Sequence, residues 1–218
     1  SQLLQTKLVP VKCQFSLVKS FDHDESPIQS VIRKECRQSR ADIAILYALR
    51  HPACGGCREK GKALAEYIQL DGKIALATVV KETGVTDKAL MEYYEKYGLR
   101  NNIYKDGEWN IYKAMGGRKV SMCAMARGIS RLMLRGLEKK VTPNLSQVTR
   151  GDLWTQGGVL IFDKRGELVH VVYEPQFGEE LDMGEVKQAV RRARFNAKSM
   201  KTGGSSESTE TSTQIDSL

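Results

Sequence analysis

The 218-residue chain has only three histidines, His23, His51 and His170, and they lack the spacing by which a metal site gathers ligands. Cysteine is also sparse. Cys13, Cys36, Cys54, Cys57 and Cys123 are odd in number and too few for a secreted disulfide framework, so a reducing compartment is expected. No apolar run approaches the roughly 18 residues that cross a bilayer, and no charged-then-apolar leader opens the chain. The sequence therefore reads as soluble, cytoplasmic or organellar, and a first residue of Ser1 is compatible with a targeting peptide already removed. Internal repeats are lacking. From Lys198 onwards apolar residues nearly vanish, so residues 198–218 cannot offset the entropy of ordering and are expected to form a disordered tail.

What remains is 41% hydrophobic and 28% charged, enough for one core with appendages. A net charge of +8 suits acidic partners or membrane surfaces, but basic residues at helix ends also complement helix dipoles, so charge alone selects nothing.

Residues 1–40 read as an N-terminal arm. VPVKCQF alternates weakly, as a short edge strand carrying Pro10 would, with Cys13 as a small buried hydrophobe. Ser26-Pro27 opens a helix whose Ile28, Val31, Ile32 and Cys36 recur at helical spacing. Residues 41–197 read as one domain. DIAILYAL, from Asp42 to Leu49, has the unbroken apolar character of a strand buried on both faces. A helix over 54–69, an Asp71-Gly72 turn and a second buried strand, Lys73 to Val80, complete a β-α-β unit with a parallel pair. A helix carrying Leu90, Met91, Tyr94 and Tyr97 follows, then a short strand at NNIY, an insert over 113–150, a hairpin turning at Lys164-Arg165-Gly166, and a last helix. Gly116-Gly117 reads as a helix stop, and Glu174 and Glu179 as solvated loop residues.

The first strand runs into Cys54-Gly55-Gly56-Cys57 at the start of a helix. Zinc needs about four ligands, and only one pair is present. Redox chemistry fits better, because unpaired N–H groups at a helix start favour a thiolate, and Arg50, His51, Arg58 and Lys60 bring positive charge or a proton carrier nearby. Cys54 and Cys57 are the candidate catalytic pair, and Arg50, His51 and Arg58 are candidates to assist. No bound cofactor or metal is expected. At the helix start Cys54 should be more exposed and carry the lower pKa, attacking first, with Cys57 resolving the mixed disulfide.

The order of elements around this Cys-x-x-Cys predicts an α/β, thioredoxin-like fold, a central mixed sheet flanked by helices. HPACGGCRE, IYKDGEWNIYKAMGGRK and GDLWTQGGVLIFDKRGELVHVVYEPQFGE together resemble the peroxiredoxin-like 2 group, which includes selenoprotein U and prostamide/prostaglandin F synthase, within the alkyl hydroperoxide reductase/thiol-specific antioxidant clan. The resemblance covers residues 40–192 and implies thiol-dependent reduction, with electrons from a thiol donor such as thioredoxin or glutathione. It also exposes departures. Peroxiredoxins proper have Thr-x-x-Cys, which puts Cys54 in the threonine place and Cys57 in the peroxidatic one, so the attacking sulfur stays open between the two. They present an arginine just before the strand that here reads GVLIF, where this chain has Gly157. Thioredoxins place a cis-proline in that neighbourhood, and Gly157-Gly158 would still let a substrate backbone approach.

In the insert, Met122, Met125, Ala126, Ile129, Leu132, Met133 and Leu137 share one helical face, opposite Arg127, Arg131 and Arg135. The expectation is an apolar face packed on the body and a solvated basic face. That basic face is the candidate docking surface for an anionic membrane or an acidic protein. Nucleic acid is not expected, because no aromatic residues interleave the arginines. The leading functional reading is a thiol oxidoreductase, and the alternative is a non-catalytic module of the same fold that binds through its basic helix.

Overall fold

The computed structural model describes residues 7–11, 26–81, 87–97, 101–139, 152–174 and 179–202. Strands β3 (Ile43–Leu49) and β4 (Ile74–Lys81) are buried along their whole length, as two unbroken apolar runs require. They pair in parallel from Ile43 opposite Ile74 to Leu49 opposite Val80, and α2 (Gly55–Asp71) supplies the crossover. Gly72 ends α2 at φ +63°, a left-handed closure that glycine adopts without a Cβ penalty.

Strand β5 (Asn102–Asp106) continues the parallel set beside β4, whereas β6 (Gly158–Asp163) runs antiparallel on the other side of β3 and turns into β7 (Leu168–Tyr173). Strand β1 (Lys7–Val11) pairs antiparallel with β5, and only the two-residue β2 (Ser26–Pro27) lies outside it. The sheet order is β2-β1-β5-β4-β3-β6-β7.

Pleat alternation divides the core in two. Ile43, Ile45, Tyr47 and Leu49 of β3 face α2, α3 (Asp87–Lys96) and α6 (Met183–Thr202), while Ala44, Leu46 and Ala48 face α1 (Ile28–Gln38) and α4 (Asn110–Ala114). Cys36 is buried on the α1 side, and burial together with Asp163, Glu35 and Asp42 pushes its thiol up to about 11, far from reactive. The backbone of α6 continues through Thr202, five residues beyond the expected domain end at 197, in keeping with Ala193, Ala197 and Met200 at helical spacing. Cys13, residues 140–151 of the insert and residues 203–218 of the expected tail lie outside the described residues. Among the described residues no helix is long and apolar enough to cross a membrane.

The insert helix α5 (Met122–Lys139) differs from its expectation. Ala124, Met125 and Gly128 turn inward toward α2 and the core, where Ala124 and Gly128 take up little room. The larger Met122, Leu134 and Ile129 face outward, 76%, 68% and 43% exposed. Arg127 is exposed beside them, Arg131 pairs with Glu179 at 3.0 Å, and the Arg135 side chain lies outside the described residues.

Candidate active site

After Leu49 the chain turns through Arg50, His51, Pro52 and Ala53 into Cys54, which caps the N-terminus of α2. The turn is tied by its own backbone: Cys54 N–H donates to the His51 carbonyl at 3.1 Å, and Ala53 N–H donates to His51 Nδ1 at 3.1 Å. His51 is therefore buried as an acceptor within the turn. Arg58, one turn into α2, donates through Nε to the Pro52 carbonyl at 2.7 Å, pairs with Glu92 at 3.1 Å and stacks 5.0 Å from the Tyr97 ring centre. Tyr47 Oη donates to the Cys57 carbonyl at 3.1 Å from the sheet side. His51 and Arg58 thus shape the loop, whereas Arg50 reaches the sulfurs.

Arg50 Nη2 stands 3.6 Å from Cys54 Sγ and 3.7 Å from Cys57 Sγ. The same nitrogen lies 3.4 Å from Glu174 Oε1. Glu174 is held by Lys60 Nζ, and its Oε2 accepts from Gly157 N–H at 2.9 Å. All of these groups are buried, and both cysteines are free thiols. An exposed attacking cysteine is not what the fold presents: Cys54 is 3% exposed and Cys57 is 0% exposed. The sulfurs are nonetheless unequal. The bond between the two cysteine side chains and the Arg50 charge hold Cys54 well below an ordinary thiol, against the opposing effect of burial. The same bond, burial and the neighbouring Cys54 anion push Cys57 well up.

Burial by itself would raise the Glu174 carboxyl, but Arg50, Lys60 and the Gly157 N–H outweigh it and hold the group at about 2, against an ordinary 4.5. Its contribution to stability is full above that ordinary value and is lost as pH falls from about 4.5 towards about 2. Acid titration followed by circular dichroism should show this limb in the parent protein and a shallower one in Glu174→Gln, in which no carboxyl remains to be protonated.

Two neighbouring segments frame the site. Lys81, at the end of β4, binds Asp152 Oδ2 at 2.9 Å over the rings of Trp109 and Tyr112. Tyr112 Oη meets the Leu49 and Val79 carbonyls at 2.8 and 3.0 Å, where β3 and β4 end. Asp152 accepts from Trp154 N–H at 2.7 Å, and the following segment pairs with 118–120, which delivers Gly157 and Gly158 to the start of β6. Both glycines are buried: the space a side chain would take at Gly157 is filled by the Ala48 carbonyl, and at Gly158 by Met115 and the Val172 carbonyl. The close approach they permit in this structure is to the protein's own backbone. Among the described residues no three His, Cys, Asp or Glu side chains gather as a metal would require.

Residues 62–176, more than half of the chain, match the family of AhpC/TSA antioxidant enzymes. The chain belongs to that family. The matched span begins after Cys57, so the Cys-Gly-Gly-Cys stretch stands on the geometry above. No curated protein matches in sequence. Among solved structures, a secreted disulfide oxidoreductase of Mycobacterium tuberculosis, homologous to E. coli DsbE, superposes with a TM-score of 0.50 at 11% identity, covering 88% of this chain and 98% of that one. The bacterioferritin comigratory protein of Xanthomonas campestris, described for its alkyl peroxide reduction activity, gives 0.49 at 10% identity over 89% and 94%. A thioredoxin-like protein of Aeropyrum pernix gives 0.48 at 11% identity over 87% and 89%. At such identities likeness concerns the fold, and the fold is thioredoxin-like. Position 157 is glycine, and the arginine that approaches both sulfurs is Arg50, just after β3.

The sequence offers Lys60 as nearby positive charge, but not its burial or its pairing with Glu174. Lys60 lies three residues after Cys57 and four before Leu64, on the buried face of α2, and Glu174 lies two beyond Val172, on the inward face of β7 extended. Glu174 is thus a buried partner of Arg50 and Lys60, in contrast to the solvated loop residue expected of it.

Proposed function

We propose that the protein is a thiol-dependent oxidoreductase of the peroxiredoxin-like 2, selenoprotein U kind, cycling between a Cys54/Cys57 dithiol and an intramolecular disulfide. The observation that carries this reading is one guanidinium, Arg50, set against both buried sulfurs at the start of α2. The Cys54 thiolate attacks a peroxide oxygen, the O–O bond breaks, and the leaving oxygen takes a proton to depart as alcohol or water. Cys57 then attacks the sulfur of the resulting sulfenic acid, closing the disulfide and releasing water. A thiol donor such as thioredoxin or glutathione returns the two electrons. Mild peroxide followed by mass-shift thiol trapping should remove two thiols from the folded protein, at Cys54 and Cys57, and leave Cys36 unchanged. A pair that stays fully reduced under this treatment sinks the reading.

A second reading concerns docking rather than chemistry. The outward stripe of Met122, Ile129 and Leu134 borders the exposed Arg127, a pairing of apolar surface and cationic charge suited to an anionic membrane surface. Flotation should show binding to phosphatidylserine-containing vesicles several-fold above that to phosphatidylcholine alone, and loss of the difference in Arg127→Gln/Arg131→Gln/Arg135→Gln. Equal or absent binding to both vesicles defeats this reading and leaves an acidic protein as the occupant to examine.

A further inference from the structure

We propose that Trp154, Tyr173 and Arg118 form the docking surface for the dithiol protein that reduces the Cys54–Cys57 disulfide, a partner with carboxylates beside its reactive cysteine. This rests on the disulfide cycle proposed above and names where its electrons arrive. Burial sets the requirement. At 3% and 0% exposure the two sulfurs are closed to a large thiol that merely collides with the surface, so a protein reductant has to be held at the rim until its cysteine gains access. A docking surface supplies that hold by raising the effective concentration of the partner's thiol.

The rim carries the side chains that dominate binding energy in protein interfaces, Trp, Tyr and Arg. Because β6 runs antiparallel to β3 and β7 antiparallel to β6, β7 ends at the same edge of the sheet as β3. Tyr173, its last residue, is 44% exposed and immediately precedes Glu174. Trp154 is 41% exposed and stands three residues before Gly157, whose N–H holds Glu174. The Arg118 guanidinium lies over the Tyr173 ring, 4.6 Å from its centre, and the Arg118 carbonyl accepts from Gln156 N–H at 2.8 Å. Lys119 pairs antiparallel with Thr155, so alternation puts Arg118 and Trp154 together on the other face of this short ladder. Both rings are thus mounted on the segments that hold Glu174 and, through it, Arg50 at the sulfurs. The remaining large exposed aromatic among the described residues, Phe195, stands beside the Arg194–Asp71 pair, at the far end of α2 from the cysteines. Charge gives the partner its sign. Arg118 and Lys119 are exposed, and among the described residues no carboxylate pairs with either. Carboxylates on the partner would steer the encounter towards them and fix its register.

Once docked, a thiolate of the partner attacks Cys54 Sγ, the Cys54–Cys57 bond breaks, and Cys57 leaves with the electron pair and takes up a proton. The partner's second thiol, deprotonated, attacks the partner sulfur of the mixed disulfide and expels Cys54. Two electrons pass to the cysteine pair, the partner becomes a disulfide, and its second proton goes to Cys54 or to solvent.

The full-length protein is oxidised with one equivalent of peroxide, and the return of its thiols is followed by mass-shift trapping with two reductants, an acidic thioredoxin and dithiothreitol. The parent should react at least about tenfold faster with thioredoxin than with dithiothreitol at equal dithiol, and the advantage should shrink as salt is raised. Trp154→Ala, Tyr173→Ala and Arg118→Glu should each slow the thioredoxin reaction by about tenfold or more and leave the dithiothreitol reaction within about twofold of the parent. Dithiothreitol needs no docking, so its rate reports whether a variant is still folded around the disulfide. A parent reduced no faster by thioredoxin, variants that react with thioredoxin at the parent rate, or equal losses with both reductants overturn the inference. A parent that forms no disulfide overturns instead the cycle on which it rests.

Discussion

Cys54→Ser is expected to lower peroxide-dependent turnover by a factor of roughly a thousand or more, while Cys57→Ser should keep the first attack and stall with a sulfenic acid or mixed disulfide on Cys54. The asymmetry follows from the unequal surroundings of the two sulfurs. The bond between the two side chains, the Arg50 charge and the Cys57 backbone N–H lower the Cys54 thiol against burial, whereas the same bond, burial and the neighbouring Cys54 anion raise Cys57, with Arg50 equidistant from both sulfurs within 0.1 Å. Limited iodoacetamide alkylation across pH provides the independent check. Cys54 should label first, with a midpoint below the roughly 8.5 of an ordinary thiol. Cys57 labelling first, or a Cys54→Ser variant that consumes peroxide at the parent rate through a Cys57 sulfenic acid, reverses the roles and favours the peroxiredoxin alignment, in which Cys54 occupies the threonine place.

The frame of this site is legible in the sequence because it depends on local pattern. Two unbroken apolar runs can only be strands covered on both sides, and a Cys-x-x-Cys between the first run and a helix pattern fixes where the sulfurs lie. The charged half of the site is less legible, because its members come from the end of β3, the second turn of α2 and the residue after β7, 124 positions separating Arg50 from Glu174. Lysine and glutamate are presumed solvated unless a partner is known, and here each is the other's partner. Both stand at inward-facing spacings, three residues after Cys57 and two after Val172, but their charge argues for solvent. Helix α5 shows the complementary limit. Its sequence contains an apolar face and a basic row, but the period does not say which side the fold will cover, and the small residues Ala124 and Gly128 made the closer contact.

Gly157→Ala is expected to destabilise the protein by about 3 kcal/mol or more, a large effect for one methyl group. A Cβ at that position would sit 2.0 Å from the Ala48 carbonyl oxygen and 3.2 Å from its carbon, well inside van der Waals contact. The obstacle is the backbone of β3, which is bonded to neighbours on both sides and cannot swing away as the end of a side chain could. Relief would require the start of β6 to lift from β3, which moves the Gly157 N–H that fixes Glu174 and, through Glu174, the Arg50 guanidinium at the sulfurs. The variant should therefore lose activity in the fraction that still folds. Gly72→Ala is the control, since no atom lies within 4 Å of a Cβ there and only the left-handed φ of +63° is strained; about 1–2 kcal/mol is expected. Urea unfolding of the two variants beside the parent separates the explanations. If Gly157→Ala is no less stable than Gly72→Ala and loses only its reaction with a thiol partner, the bare backbone serves the approach of a substrate and not the packing of β6 on β3.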